Sequence, residues 1–239
     1  MGQTITSGTT ALAERVTALA EAAFATADGL RRRAEDLFTG GRPTSADLAV
    51  LRPWVTEALG GLINGAGVIT VPLADGRPGL EWWMGSPAQR SQLALDLDPA
   101  SDTFVDVSRQ PWYSVPRATG RRHVTGPYVD YVCAEQYALT FTVPVTDHGT
   151  FAGIAGADVF VGDFERALRP ALRAVGTPVA LVNTHGRVVA GSTAHHLAGS
   201  LIRDAHIRTA LLTALPATLP DGVRITPCGT LPLAVLTWP

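Results

Sequence analysis

The chain of 239 residues is long enough for one large domain or two small lobes, with a sizeable buried core. Its apolar fraction of 46% and charged fraction of 17% fit a soluble globular protein, and a net charge of −2 offers no basic field to attract nucleic acid. Cys133 and Cys228 have no metal-type spacing and read as buried thiols; His195-His196 sits in a Gly/Ser/Thr loop and the other histidines are scattered, so no metal or other cofactor is expected.

All 19 basic residues are arginine, which reads as the mark of a GC-rich bacterial genome. The Arg31-Arg32-Arg33 run reads as a solvated helix face. The N-terminus lacks the charged and apolar regions of a secretory signal, and its short match to a myristoylation pattern is taken as chance. No run approaches the roughly 20 apolar residues that cross a bilayer. A cytosolic protein, complete as it stands and without membrane contact, is the expectation.

Residues 10–38 carry Leu12, Val16, Leu19, Ala23, Ala27, Leu30, Ala34 and Leu37 at intervals of three and four, which predicts a long helix with one apolar stripe. Such a helix packs on its own sheet and, as the weaker expectation, against a second copy in a homodimer. Thr44-Ser-Ala-Asp opens a second helix as a capping box, with Leu48, Leu51, Val55 and Leu59 inward and Pro53 restarting it. Val68–Leu73 and Leu80–Met84 read as strands around a Gly/Pro turn, with Trp82 and Trp83 on opposite faces. Residues 86–100 read as a helix or irregular cover.

The central stretch, 104–158, holds Pro111-Trp112-Tyr113, Thr125-Gly-Pro-Tyr128-Val-Asp130-Tyr131, and two strand patterns, Tyr137–Val145 and Phe151–Val159. A helix over 162–175, a hairpin of Val179–Asn183 with Arg187–Ala190, a helix over 205–215 and a last strand pair, 223–226 with 231–238, complete the pattern. Strands follow strands through short turns. An antiparallel α+β fold with a long N-terminal helix is therefore predicted. Its organisation reads as a large lobe, 1–175, and a small β-rich lobe or extension, 176–239, with one continuous domain as the alternative.

Trp112 and Tyr113 read as the rigid walls of a cavity, the alternative being a plug in the core. Asp158 lies late in an apolar strand in which Gly153 and Gly156 leave room beside the backbone. A carboxylate there needs a partner, and Arg109, a helix N-terminus near 162 or a ligand ammonium would each serve. Tyr128 and Asp130 share one strand face, while Thr140 and Thr142 share a face opposite Leu139, Phe141 and Val143. No nucleophile elbow, zinc-protease motif or phosphate loop is present, and Asp96, Asp98, Asp102 and Asp106 are too loosely spaced for an acid–base pair. An enzyme is not expected.

These motifs, in their order, resemble the Cache domains (PDC sensors), PAS-like sensor domains of bacterial chemoreceptors and histidine kinases. The resemblance covers most of the chain and centres on 104–190. It implies an α+β, PAS-like fold and a ligand pocket. In amino-acid-binding members of the double-Cache group a Tyr, an Arg, a Trp-Tyr pair, a later Tyr and an Asp hold the ligand; here Trp112, Tyr113, Tyr128 and Asp158 match. The arginine position is Gln110 and the first tyrosine position is Val105. Arg109, one residue away, is the candidate substitute. The missing arginine removes the group that would grip an α-carboxylate, whereas rings and a carboxylate still suit a cation.

Unlike the relatives, the chain is expected to carry no flanking transmembrane helix and no output region. The resemblance therefore implies a sensory protein that binds a small polar metabolite (an amine, an amino acid or a small carboxylate) and signals through a partner or its own oligomer. The rival reading is a ligand-free protein that docks a regulator or transcription factor through its long helix or sheet.

Overall fold

The computed structural model describes residues 2–130, 136–213 and 215–239, with side chains from Ser7 onward and excepting Asp130. Tyr131 and Cys133 fall outside the described residues, as does the side chain of Asp130. The predicted α+β fold is what forms: the described residues make five α-helices and two antiparallel sheets. By contact the chain divides into two compact units, one of Ala22–Thr125 and Thr140–Val159, the other of Met1–Glu21, Gly126–Leu139 and Phe160–Pro239.

Helix α1 (Gly2–Thr39) begins well before the predicted start. Leu12, Val16, Ala23, Ala27, Leu30 and Ala34 are buried as the stripe requires; Leu19 and Leu37 are half-exposed, and Ala20, Phe24 and Phe38 are buried with the stripe. In the unit of Ala22–Thr125 and Thr140–Val159, Phe24 meets Phe141 edge to face, with ring centroids 5.3 Å apart. Burying such a ring contributes about 1.5–3 kcal/mol. Glu35 ties the same helix to the sheet by accepting both the backbone N–H and the hydroxyl of Thr146 at 3.0 Å. Arg31, expected to be solvated, is paired with Asp28 and Glu35.

A 3-10 turn (Ser45–Leu51) follows the Thr44–Asp47 capping box and runs into α2 (Arg52–Glu57), which Pro53 restarts at its first turn. Leu48, Leu51, Val55 and Leu59 are buried as predicted. The six-stranded sheet has the order β3-β2-β1-β6-β5-β4, from β1 (Gly65–Pro72), β2 (Pro78–Ser86), β3 (Gln89–Gln92), β4 (His123–Asp130), β5 (Gln136–Asp147) and β6 (Thr150–Phe160). β3 settles the open reading of residues 86–100: part of that segment is an edge strand, and every one of its residues is exposed. Pro127 is tolerated because β4 is the other edge, where a missing N–H breaks no inner ladder. α3 (Pro111–Thr119) lies between β3 and β4 in the chain.

In the other unit, α4 (Val161–Ala174) buries Phe164, Leu168 and Leu172. A five-stranded sheet follows, ordered β8-β7-β11-β10-β9: β7 (Val179–Asn183), β8 (Val188–Gly191), β9 (Ala217–Thr218), β10 (Arg224–Pro227) and β11 (Leu233–Thr237). With α5 (Ala205–Thr213) it encloses a core of Val182, Val188, Ile207, Leu211, Ile225 and Leu236. Cys228 is a free, fully buried thiol, and burial pushes its pKa up to about 12. No helix among the described residues is long and apolar enough to cross a membrane.

His123, half-buried at the start of β4, has its imidazole pKa lowered by burial. As pH falls, the unfolded chain therefore takes up this proton before the folded one. The stability contribution is complete above about pH 6.5 and declines as pH drops through the lowered folded pKa. His196, lowered by burial and by His195, acts in the same direction. Melting temperatures should fall between roughly pH 7.5 and 5, and His123→Gln should shrink that fall; an unchanged profile in the variant would refute the assignment.

Candidate ligand-binding site

The sheet strands β1, β2, β5 and β6 build a polar cluster inside the unit of Ala22–Thr125 and Thr140–Val159. Antiparallel register places Gly65 opposite Asp158 and Gly67 opposite both Gly156 and Trp82. Pleating then puts Asp158, Gly156, Gly67 and Trp82 on one face. Asp158 is 4% exposed. Its Oδ1 accepts the Thr140 hydroxyl at 2.6 Å, and its Oδ2 accepts the Trp82 indole N–H at 3.2 Å.

Trp82 fits because two residues beside it, Gly67 against its Cα and Gly156 against its ring, lack a side chain. A Cβ on Gly67 would stand 2.5 Å from the Cα of Trp82, and one on Gly156 would stand 2.8 Å from Cη2 at the ring's tip. The indole thus reaches from the carboxylate at one end to Gly156 at the other. Thr142 flanks that same glycine: its Cγ2 would lie 3.0 Å from the Gly156 Cβ. The Thr142 side chain is fully buried, and its hydroxyl meets no hydrogen-bond partner among the described residues.

Of the residues singled out in the sequence, Tyr113 is 5% exposed in the first turn of α3, edge-on to Phe151 at 5.5 Å and to Trp112 at 6.2 Å. Burial raises its phenol pKa, with Arg117 opposing. The pair sits on a helix: Pro111 occupies the first helical position, where its missing N–H costs nothing, and Gln110 is the extended N-cap residue. Gln110 is exposed. Arg109 is 88% exposed and pairs with Asp106 at 3.1 Å, so the candidate partner for Asp158 turns out to be engaged elsewhere. Tyr128 is half-buried on β4 and belongs to the other compact unit.

Sequence reasoning missed two groups. Trp82 was assigned a face but not a role. Glu81, next to it, is a second buried carboxylate at 2% exposure. On the opposite face it accepts Trp83 Nε1 at 2.6 Å, Arg52 Nε at 3.0 Å and Gln92 Nε2 at 3.3 Å, and Arg52 also lies over the Trp83 ring. That cluster fixes α2 and β3 to β2. The signal was available: a lone acid in the apolar run Gly79-Leu-Glu-Trp-Trp-Met raises the same question of partners as Asp158 does.

Residues 88–166 match the family model of the methyl-accepting chemotaxis protein-like, first PDC sensor domain. That segment contains Trp112, Tyr113, Tyr128 and Asp158. No curated protein matches. Among solved structures, the extracellular domain designated histidine kinase mmHK1S-Z3 is 16% identical with a TM-score of 0.72, covering 98% of this chain and 92% of that one. The ligand-binding domain of the Pseudomonas aeruginosa PAO1 amino-acid chemoreceptor PctC, solved with GABA, is 19% identical at a TM-score of 0.59 over 95% of each chain. The ligand-binding domain of the Pseudomonas fluorescens chemoreceptor CtaA, solved with L-valine, is 13% identical at 0.62, over 96% and 93%. At these identities the likeness shows a shared fold.

Proposed function

We propose that this chain, which carries the Cache (PDC) sensor fold and matches a PDC sensor model over residues 88–166, is a sensory domain for a small polar metabolite with a cationic amine. The observation that carries the reading is Asp158: a carboxylate buried in the sheet and held in place by an indole N–H and a hydroxyl. The indole N–H and the hydroxyl are neutral donors that orient the carboxylate, a group whose charge suits an ammonium. Trp112 and Tyr113 supply rigid aromatic area from α3, in the same compact unit. With Gln110 at the matched arginine position and Arg109 turned to solvent, a ligand that depends on an α-carboxylate is disfavoured relative to a plain amine.

The test is a calorimetric and thermal-shift screen of amines, amino acids and small carboxylates. Amines are expected to bind and to raise the melting temperature, because a ligand that binds only the folded state stabilises it by mass action. A screen in which only carboxylates bind would overturn the reading. A cytosolic location and an output relayed by a regulator protein or a second copy belong to the same proposal; cell fractionation and pull-down from the native host, with and without the ligand, test them.

A further inference from the structure

We infer that the groove between α1 and α2 is a self-association surface, in which a second copy of this chain seats its own Trp54 and closes two reciprocal Arg33–Glu57 ion pairs. Within the compact unit of Ala22–Thr125 and Thr140–Val159, Gly29, Arg33 and Asp36 of α1 and Trp54, Glu57 and Ala58 of the α2 segment line a groove of about 640 Å³. A second groove of about 430 Å³ shares Asp36 with it and runs past Val50 to the end of α1. Trp54 at 37% exposure and Val50 at 51% leave apolar area at the surface here. A Cβ on Gly29 would meet nothing within 4 Å, so a ring has room to approach α1.

The charges select the occupant. Arg31 is neutralised within its own helix by Asp28 and Glu35. Arg33 is not: its guanidinium carbon lies 4.8 Å from the Trp54 ring centroid, and it forms no ion pair among the described residues. Glu57, three residues after Trp54, likewise forms none, and both side chains are exposed. A guanidinium stacked on an indole keeps its N–H edge open to a carboxylate. A groove holding one unmatched cation and one unmatched anion fits a partner that carries the same two in exchanged places. A two-fold contact supplies that by symmetry, since residue i meets j and j meets i. The apolar stripe of α1 leaves no seam for a coiled coil, because Leu12, Val16, Ala23, Ala27, Leu30 and Ala34 are already buried within one copy. The groove beside α2 is the surface that remains, with an aromatic anchor of the kind that dominates interface energies.

The inference makes the second-copy form of the output specific, and its test needs no ligand. Sedimentation equilibrium is expected to show a monomer–dimer equilibrium of the wild type that weakens with added salt. Arg33→Glu and Glu57→Arg should each weaken it about tenfold or more, because each brings like charges together across the two-fold. An equimolar mixture of these two variants should recover it, because both contacts of the mixed dimer again join opposite charges. Trp54→Ala should weaken it by about tenfold as well, and mixing with either charge variant should not recover it. Far-UV circular dichroism checks that the variants, all at exposed positions, are folded. A wild type that stays monomeric at its highest soluble concentration, charge variants that dimerise as the wild type does, or a mixture that fails to recover overturns the inference. Each of those results leaves the Asp158 anchor intact.

Discussion

Replacing Asp158 by alanine is expected to weaken amine binding strongly and to destabilise the fold at the same time. The Trp82 indole N–H and the Thr140 hydroxyl depend on this carboxylate, and Asp158 and Thr140 are both buried. Leaving them without an acceptor costs about 1–3 kcal/mol in desolvation that nothing returns. Losing a charge-assisted contact to an ammonium costs a further 10- to 100-fold or so in affinity. Asp158→Asn separates the two effects. The amide is of the same shape and keeps an oxygen for one donor, so most of the stability should remain while the charge is gone. Urea unfolding and calorimetry on both variants provide the check. If Asp158→Asn binds amines as tightly as the wild type, the carboxylate is a structural group and the sensor reading loses its anchor.

The fold was legible wherever burial imposed a period. The 3.6-residue spacing of Leu12, Val16, Ala23 and Ala27 marked α1, because the helix buries one stripe, and the alternation of Leu139, Phe141 and Val143 marked β5, whose opposite face is polar though buried as well. β3 escaped for the converse reason. Gln89-Arg-Ser-Gln has no buried residue, so only its hydrogen bonds to β2 make it a strand. α3 escaped because Pro111 reads as a breaker in isolation, although it is well suited to a first helical position.

The site divides along the same line. Asp158, a charge in an apolar run, advertised a partner, and Tyr113 advertised a wall. Their identities were local facts of sequence. What held Asp158 was not local: Trp82 lies 76 residues away and meets it only through the registers of β1 with β2 and of β1 with β6. No periodicity announces a contact made across two strand pairings. For Arg109, a local ion pair with Asp106 three residues earlier outcompeted the longer-range pairing considered for it.

Gly67→Ala should be among the most damaging single substitutions, although it adds one methyl group to a strand interior. Elsewhere in a strand, replacing glycine restores side-chain packing and reduces chain entropy in the unfolded state, so a gain is the ordinary expectation. Here the new Cβ would stand 2.4 Å from the Glu81 carbonyl oxygen and 2.5 Å from the Trp82 Cα. Both are backbone atoms of β2, and neither can rotate away. The strand pair must part instead, which loosens its ladder and withdraws the indole from Asp158. A loss of about 2–4 kcal/mol is expected, the range of overpacking combined with a broken buried hydrogen bond. Gly156→Ala meets the tip of the Trp82 ring at 2.8 Å and the Phe141 carbonyl oxygen at 3.0 Å, looser contacts than those at Gly67, and should cost less while still weakening amine binding. Urea denaturation of the two variants gives the order, and calorimetry gives the binding. If Gly67→Ala folds with wild-type stability, β1 and β2 are not as closely apposed as described, and the placement of Trp82 against the carboxylate falls with them.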